Sequence, residues 1–360
     1  MQNIIDKICN SGRISDTEAL TLYREGDLYL LGFLANSMRQ RLHPEPLVTY
    51  VIDRNINYTD ICLSACKFCA FFKAPEDESG YVLSFEELGQ KILETKALGG
   101  TQVLLQGGLH PDLPFSFYEE MLRFMKGYDI HIHGFSPPEV QHFAKIAGLS
   151  MQEVIERLRE AGLDSIPGGG AEILSDRVRS EVAPRKCTAD QWIEVMECAH
   201  NLGMRTTATM MFGHIETDEE MLEHLRRIRD LQDRTGGFTA FIPWPFQPTN
   251  TVLAHIQPAT GFRYLKILAL SRIYLDNVAN IQASWVTQGP KIAQLALSFG
   301  ANDFGSTMIE ENVVAAAGVT FRMKREEIVG MIQDAGFTAA QRDTTYRILK
   351  TERGAGPLFY

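Results

Sequence analysis

Eight short apolar runs alternate with amphipathic helical stretches, and no other feature of the chain constrains its fold as much. The strand-like runs are VTYVIDRNINYT, TQVLLQGG, IHIHGFSPP, GLDSIPGGG, MRTTATMMFG, GFTAFIPWPF, NIQASWV and NDFGST. Between them lie SFEELGQKILETKALGG, SMQEVIERLREAGL, ADQWIEVMECAHNLG and DEEMLEHLRRIRDLQDRTGG, whose three- and four-residue apolar spacing gives each helix one buried stripe. Repeated βα units require parallel strands joined by right-handed crossovers. A closed barrel and an open doubly wound sheet both meet that requirement. Gly and polar residues separate the two, because they follow strand after strand: QGG at 106–108, GGG at 168–170, GHIE at 213–216 and PWPFQP at 243–248. A barrel builds its active site from all its βα loops, whereas an open sheet concentrates ligand groups at one switch point. The expected fold is α/β, a TIM-type (βα) barrel over 49–317. A helical N-terminal extension over 1–48 precedes it and ends at the prolines of HPEP. A C-terminal extension over 318–360 follows, with a helix around MKREEIVGMIQDAG and a tail containing TTYRIL.

A chain of 360 residues with 45% hydrophobic and 22% charged residues can bury a large core, which excludes long-range disorder. The 35 Lys and Arg against 45 Asp and Glu give a net charge of −10, with no basic run to track phosphates, so no nucleic acid partner is expected. No stretch approaches the roughly 18 apolar residues of a bilayer span, and MQNIIDKICNSGRISD carries charge where a signal peptide needs an apolar centre. A cytoplasmic protein with no membrane partner is expected.

Six cysteines are too few for a disulfide framework, and three of them crowd into one loop after the first strand. Cys62, Cys66 and Cys69 form C-x3-C-x2-C, while Cys9, Cys187 and Cys198 fall in helical segments and read as small buried hydrophobes. Three thiolates in one loop can hold a soft metal centre. A structural zinc would need a fourth protein ligand, and His43 and His110 are remote in sequence. An iron–sulfur cubane held by three cysteines instead leaves one iron open to a small molecule.

The spacing C-x3-C-x2-C, with Phe68 just before the third cysteine, resembles the signature of the radical S-adenosylmethionine (SAM) enzymes. That resemblance implies a [4Fe–4S] cluster on Cys62, Cys66 and Cys69 and SAM as cosubstrate. It implies that Gln106, Gly107 and Gly108 receive the methionine amino group, that Glu172 binds the ribose hydroxyls, and that Arg179 pairs with the methionine carboxylate. Gly213 and Glu216 resemble the loop after the fifth strand, and the segment from Pro243 and Trp244 to Phe246 would lie near the adenine. Over nearly the whole chain, RNINYTDICLSACKFCAFF, LLQGGLHPDL, DSIPGGGAEIL, TTATMMFGHIET, FTAFIPWPFQP, NIQASWVTQG and GANDFGSTMIEENVV resemble the cyclic dehypoxanthinyl futalosine synthase family of the futalosine route to menaquinone. Aminofutalosine synthase and the tyrosine-using half of the deazaflavin-forming synthase share much of this framework. The resemblance implies dehypoxanthine futalosine as the small-molecule substrate. Hydrogen would be taken from its ribose C4′ and the ring closed onto the benzoate. An electron donor such as reduced flavodoxin or ferredoxin is implied as well. A non-catalytic iron–sulfur electron carrier or redox sensor is the alternative from another class, and the missing fourth nearby ligand argues against it.

Ring closure ends with loss of a proton. His131 and His133 are two apart on one strand and so share a face of it, which on a barrel strand can be the lumen. Histidine is matched to proton removal near neutral pH. His133 is the preferred base because it lies nearer the strand's C-terminal end, with His214, Asp303, Glu310 and Glu311 as further candidates for base or substrate contact. Gln282, Ser284 and Thr287 are expected to alternate along the seventh strand and to bind the sugar or carboxylate.

Overall fold

The computed structural model describes residues 1–352; the end of the expected C-terminal tail, 353–360, lies outside the described residues. All eight expected runs contain strands: β1 (Leu47–Val51) and β2 (Asp53–Asn57), β3 (Gln102–Gln106), β4 (His131–Gly134), β5 (Ser165–Ile166), β6 (Arg205–Phe212), β7 (Phe238–Pro245), β8 (Asn280–Ile281) and β9 (Asp303–Ser306). Two further strands, β10 (Thr338–Arg342) and β11 (Ile348–Glu352), follow in the C-terminal extension. β2 to β8 form one parallel sheet in chain order. Gln282 bridges to Asp303, the Ala283 N–H donates to the Asp303 carbonyl, and β9 runs parallel to β1, so the sheet closes into a (βα) barrel.

Capping boxes fix where several of the loops end and helices begin. Ser84 with Glu87, Ser136 with Glu139, Ser150 with Glu153, Thr188 with Gln191 and Thr217 with Glu220 open helices Phe85–Ala97, Pro137–Ala147, Met151–Ala161, Ala189–Asn201 and Asp218–Thr235. The apolar stripe of each helix then covers the sheet, as Val154, Ile155, Leu158 and Ala161 do for Met151–Ala161. The N-terminal extension forms helices Gln2–Cys9, Asp16–Glu25 and Leu28–Leu42. Arg39 is buried, stacks on Phe337 and donates to the carbonyls of Ala301 and Leu47, tying this extension to the barrel's N-terminal end.

Two elements differ from the sequence expectation. NIQASWV supplies only the two-residue β8, and Trp285–Gln288 is a helical turn, so Ser284 and Thr287 come from a loop and a turn. Side chains compensate at this short seam. Asn302 donates to Asn280, accepts the Ile281 N–H, and accepts a 2.6 Å bond from Arg272. The C-terminal extension contains the expected helix, at Arg325–Asp334, but its tail returns as a hairpin. β10 lies parallel to β1 with Leu47 opposite Thr338, and β11 pairs antiparallel on its outer side.

This hairpin forms the barrel floor. Arg342 of β10 is buried and pairs with Asp303, one bond being Nη2 to Oδ1 at 3.1 Å. Asp303 also accepts from the Thr49 hydroxyl at 2.5 Å and from the Gly305 N–H at 2.8 Å. Burial opposes the guanidinium charge, but Asp303 and Tyr346 outweigh it and hold Arg342 above its ordinary pKa. Among the described residues, no helix is long and apolar enough to cross a membrane. Arg342→Met should destabilise the protein by about 3–5 kcal/mol, because it strands a buried carboxylate, and Asp303→Asn in the same chain should recover part of that loss. Urea unfolding midpoints check both.

Candidate active site

The upper rim is organised by one buried carboxylate. Glu139 accepts from the Tyr58 hydroxyl at 2.8 Å, the Gly107 N–H at 3.0 Å, the Ser136 N–H at 2.7 Å and the Ser136 hydroxyl at 2.6 Å. Burial pushes Glu139 up, and these four donors oppose the shift. The Gly-rich turn after β3 is thus pinned to β2 and to the helix after β4. At Gly108 the turn runs directly against the cysteine loop. A Cβ there would sit 2.1 Å from the Ile61 carbonyl oxygen and 2.9 Å from the Cys62 Cβ, so only glycine fits.

The cysteine loop is held by backbone. Cys62 N–H donates to the Lys73 carbonyl, Leu63 N–H to Leu109, and Lys67 N–H to Val182, while Ala65 is held at a φ of +44°. Cys62 Sγ accepts N–H bonds from Ser64 at 3.4 Å and Leu109 at 3.3 Å. Cys66 is buried, and burial pushes its thiol up to about 12 despite nearby Lys186. Cys62 and Cys69 are partly exposed, and all three thiols are free. Among the described residues, no three His, Cys, Asp or Glu side chains converge on a point that a single ion would fill. Three free thiols in one loop suit a polynuclear cluster with one thiolate per iron, and the N–H groups aimed at Cys62 suit a thiolate.

Beyond β5, Glu172 takes a left-handed φ of +42° and is buried. Burial pushes its carboxyl up, but Lys186 at 2.9 Å and Arg179 at 3.4 Å outweigh that and hold it below the ordinary value. Lys186 also lies over the Phe68 ring at 5.1 Å, so one ammonium sits between the cysteine loop and Glu172.

Within the barrel a cavity of about 280 Å³ extends from Gln106, Gly169 and Trp244 near the rim to Arg342, Thr344 and Tyr346 at the floor. His133, Gln282, Ser284, Thr287 and Glu311 also line it. His133 is buried and pushed down to about 3 by burial, with His131 and Arg342 adding to the shift, so it is neutral at physiological pH.

Several expected site residues lie elsewhere. Arg179 is buried, and every guanidinium nitrogen is engaged by Cys187, Gly170, Ala171 or Glu172, so it clamps the loop rather than presenting donors to a ligand. Glu216 accepts from the Gly213 and His214 N–H groups and from Arg263, bracing the loop after β6. His214 is spent in the same loop on the Met211 carbonyl and the Ile215 N–H. Asp303 is spent on Arg342, Thr49 and Gly305, and Glu310 turns outward to Lys91 at 2.7 Å. Pro243 is buried outside the lumen lining, next to the lumen-facing Trp244, and His131 sits below His133 outside the lining.

Sequence reasoning passed over Glu139, Lys186, Arg342 and Tyr346. Ser136–Glu139 reads as a helix start, and only the Gly-Gly turn after the preceding strand hints that its carboxylate has a second duty. Glu139→Ala should cost at least about 2 kcal/mol, because it orphans the buried Tyr58 hydroxyl and Gly107 N–H, while Glu139→Gln should retain part of the network. Denaturant titration of the two variants checks this.

Residues 56–228 match the radical SAM superfamily, and residues 235–354 match the CofH/MqnC C-terminal region. The FeFe-hydrogenase maturase HydG from Carboxydothermus hydrogenoformans superposes with a TM-score of 0.76 at 19% identity, covering 96% of this chain and 80% of that one. That likeness supports the fold alone. The cyclic dehypoxanthine futalosine synthase of Streptomyces coelicolor is 48% identical over 354 residues, 97% of this chain and 89% of that protein. The one from Halalkalibacterium halodurans is 47% identical over 98% of this chain and 95% of that protein. A 5-amino-6-(D-ribitylamino)uracil–L-tyrosine 4-hydroxyphenyl transferase of Methanopyrus kandleri is 42% identical over 96% of this chain and 97% of that protein. Identity of this extent along almost the entire length means that the chain belongs to the radical SAM superfamily, in the branch that carries the CofH/MqnC C-terminal region.

Proposed function

We propose that this enzyme converts dehypoxanthine futalosine to cyclic dehypoxanthinyl futalosine, a ring closure in menaquinone biosynthesis. The reading is carried by a barrel lumen in which amides, hydroxyls and one neutral histidine are set among apolar walls, in a chain 48% identical to a synthase of that name. A [4Fe–4S] cluster and SAM bound at this site would supply the one-electron chemistry for taking hydrogen from the substrate ribose at C4′.

The chain's own residues divide the remaining work. Cys62, Cys66 and Cys69 hold the cluster, with Gly108 leaving room for the loop above it. Gln106 and the Gly107 turn would receive the methionine amino group, and Glu172 with Lys186 would hold the polar end of the cosubstrate. Gln282, Ser284 and Thr287 bind and orient the substrate, whose new carbon radical attacks the benzoate ring. His133 accepts the ring proton. The closed floor keeps water from the reacting carbons. A cytoplasmic site and a low-potential donor such as reduced flavodoxin or ferredoxin belong to the same proposal.

The relatives at 41–45% identity favour a second reading, 4-hydroxyphenyl transfer from tyrosine. Anaerobic turnover with each substrate separates the two: dehypoxanthine futalosine should give cyclised product and 5′-deoxyadenosine, and tyrosine with the ribitylaminouracil should give neither. The reverse pattern selects the second reading. Cys66→Ala should lose iron content and SAM cleavage, whereas Cys187→Ala should keep both. Glu172→Gln should weaken SAM binding about ten- to hundredfold in an equilibrium titration, the loss of a charge-assisted hydrogen bond, with iron content unchanged.

A further inference from the structure

Between the two histidines of β4 sits a single hydroxyl. Ser165 Oγ lies 2.7 Å from His133 Nδ1 and 2.7 Å from His131 Nε2. A serine hydroxyl owns one proton, so it can donate to only one of these nitrogens, and the other must donate to it. The tautomers of the two imidazoles are therefore locked together.

Thr207 extends the chain on the lumen side. Its hydroxyl oxygen accepts the Gly168 N–H at 3.1 Å and lies 3.4 Å from His133 Nε2, so its proton can point at that nitrogen when Nδ1 carries the imidazole proton. His133 Nε2 is then the bare nitrogen on the lumen side, Nδ1–H donates to Ser165, and Ser165 donates to His131 Nε2. His131 is half-buried, nearer the barrel's N-terminal end, with Asp164, Lys126 and Asp343 as its charged neighbours. Arg342 and His131 are the charged or titratable neighbours of His133.

We propose that His133, Ser165 and His131 form a proton relay that carries the ring proton released on cyclisation from the lumen to the outer edge of the barrel floor. This rests on the cyclase reading above. The C–H bond at the closed ring position breaks, and its electron pair restores the aromatic ring. The unpaired electron leaves to a one-electron oxidant of the iron–sulfur class, and the proton forms a bond to His133 Nε2. The Nδ1 proton passes to Ser165, the Ser165 proton passes to His131 Nε2, and His131 releases its Nδ1 proton to water beside Asp164 and Asp343. Burial makes His133 a poor holder of a proton, which favours passing it on.

Ser165→Ala in the cluster-loaded enzyme tests this. SAM binding and 5′-deoxyadenosine formation should stay within about twofold of wild type, while cyclised product per 5′-deoxyadenosine should fall at least about tenfold. Ser165→Thr, which keeps a hydroxyl, should recover much of the ratio. Nitrogen-15 histidine spectra of the substrate-free enzyme should show His133 protonated at Nδ1 in wild type, with the Nδ1 signal shifted in Ser165→Ala as its hydrogen bond is lost. A wild-type product ratio in Ser165→Ala, or a wild-type His133 protonated at Nε2, overturns the relay. If the wild type makes no cyclised product, the reaction assignment falls and the relay falls as the carrier of that proton. The tautomers then still separate that failure from the absence of the hydrogen-bonded chain.

Discussion

The buried ion pair of Arg342 and Asp303 is the contact on which the chamber depends. Each partner alone would cost several kcal/mol to bury, so the floor is stable only with both in place. The pair draws on three distant parts of the chain: Asp303 from β9, Thr49 from β1 and Arg342 from the C-terminal hairpin. Where many barrels fill their interior with apolar layers, this one keeps a space of about 280 Å³ bounded below by the hairpin, its apolar walls interrupted by amides, hydroxyls and one histidine. A site that handles a carbon radical needs such enclosure more than it needs any single catalytic group.

The polar residues around that space have two occupations. βα loops have irregular backbone, and their buried N–H and C=O groups require partners. Glu139, Glu216 and Arg179 meet that demand, and so Glu216 and Arg179, which the resemblance set beside the cosubstrate, are engaged as braces. The polar side chains left facing the lumen are mostly neutral amides and hydroxyls, with one histidine. Neutral hydrogen-bonding groups can orient a polar substrate without the desolvation cost of an unpaired charge.

The strands, most helices and the cysteine loop were legible because each carries a local pattern: period two, period three to four, or fixed thiol spacing. The C-terminal hairpin was not. TAAQR and ILKTE are short and largely polar, and Ala339 and Ala340 become fully buried only through pairing with β1, far away in sequence. The direction of loop side chains was equally hidden. Nothing local distinguishes Glu310, which turns out to Lys91, from Glu311, which turns in to Asn55. His131 and His133 were read as a pair because strand periodicity does settle direction, yet their bridging hydroxyl comes from β5 and has no sequence signal.

The position of β10 also bears on how the protein assembles. Its parallel partner β1 precedes it by roughly three hundred residues, and parallel pairing at that separation is slow because loop closure must be met before the contact forms. During synthesis the barrel wall is complete before its base exists, so the nascent lumen is an open tube whose Asp303 awaits a counter-charge. Docking of the hairpin is then the event that converts a folded wall into a sealed vessel. A chain stopped just short of Thr338 would retain every cysteine, every barrel strand and both histidines, yet have no floor.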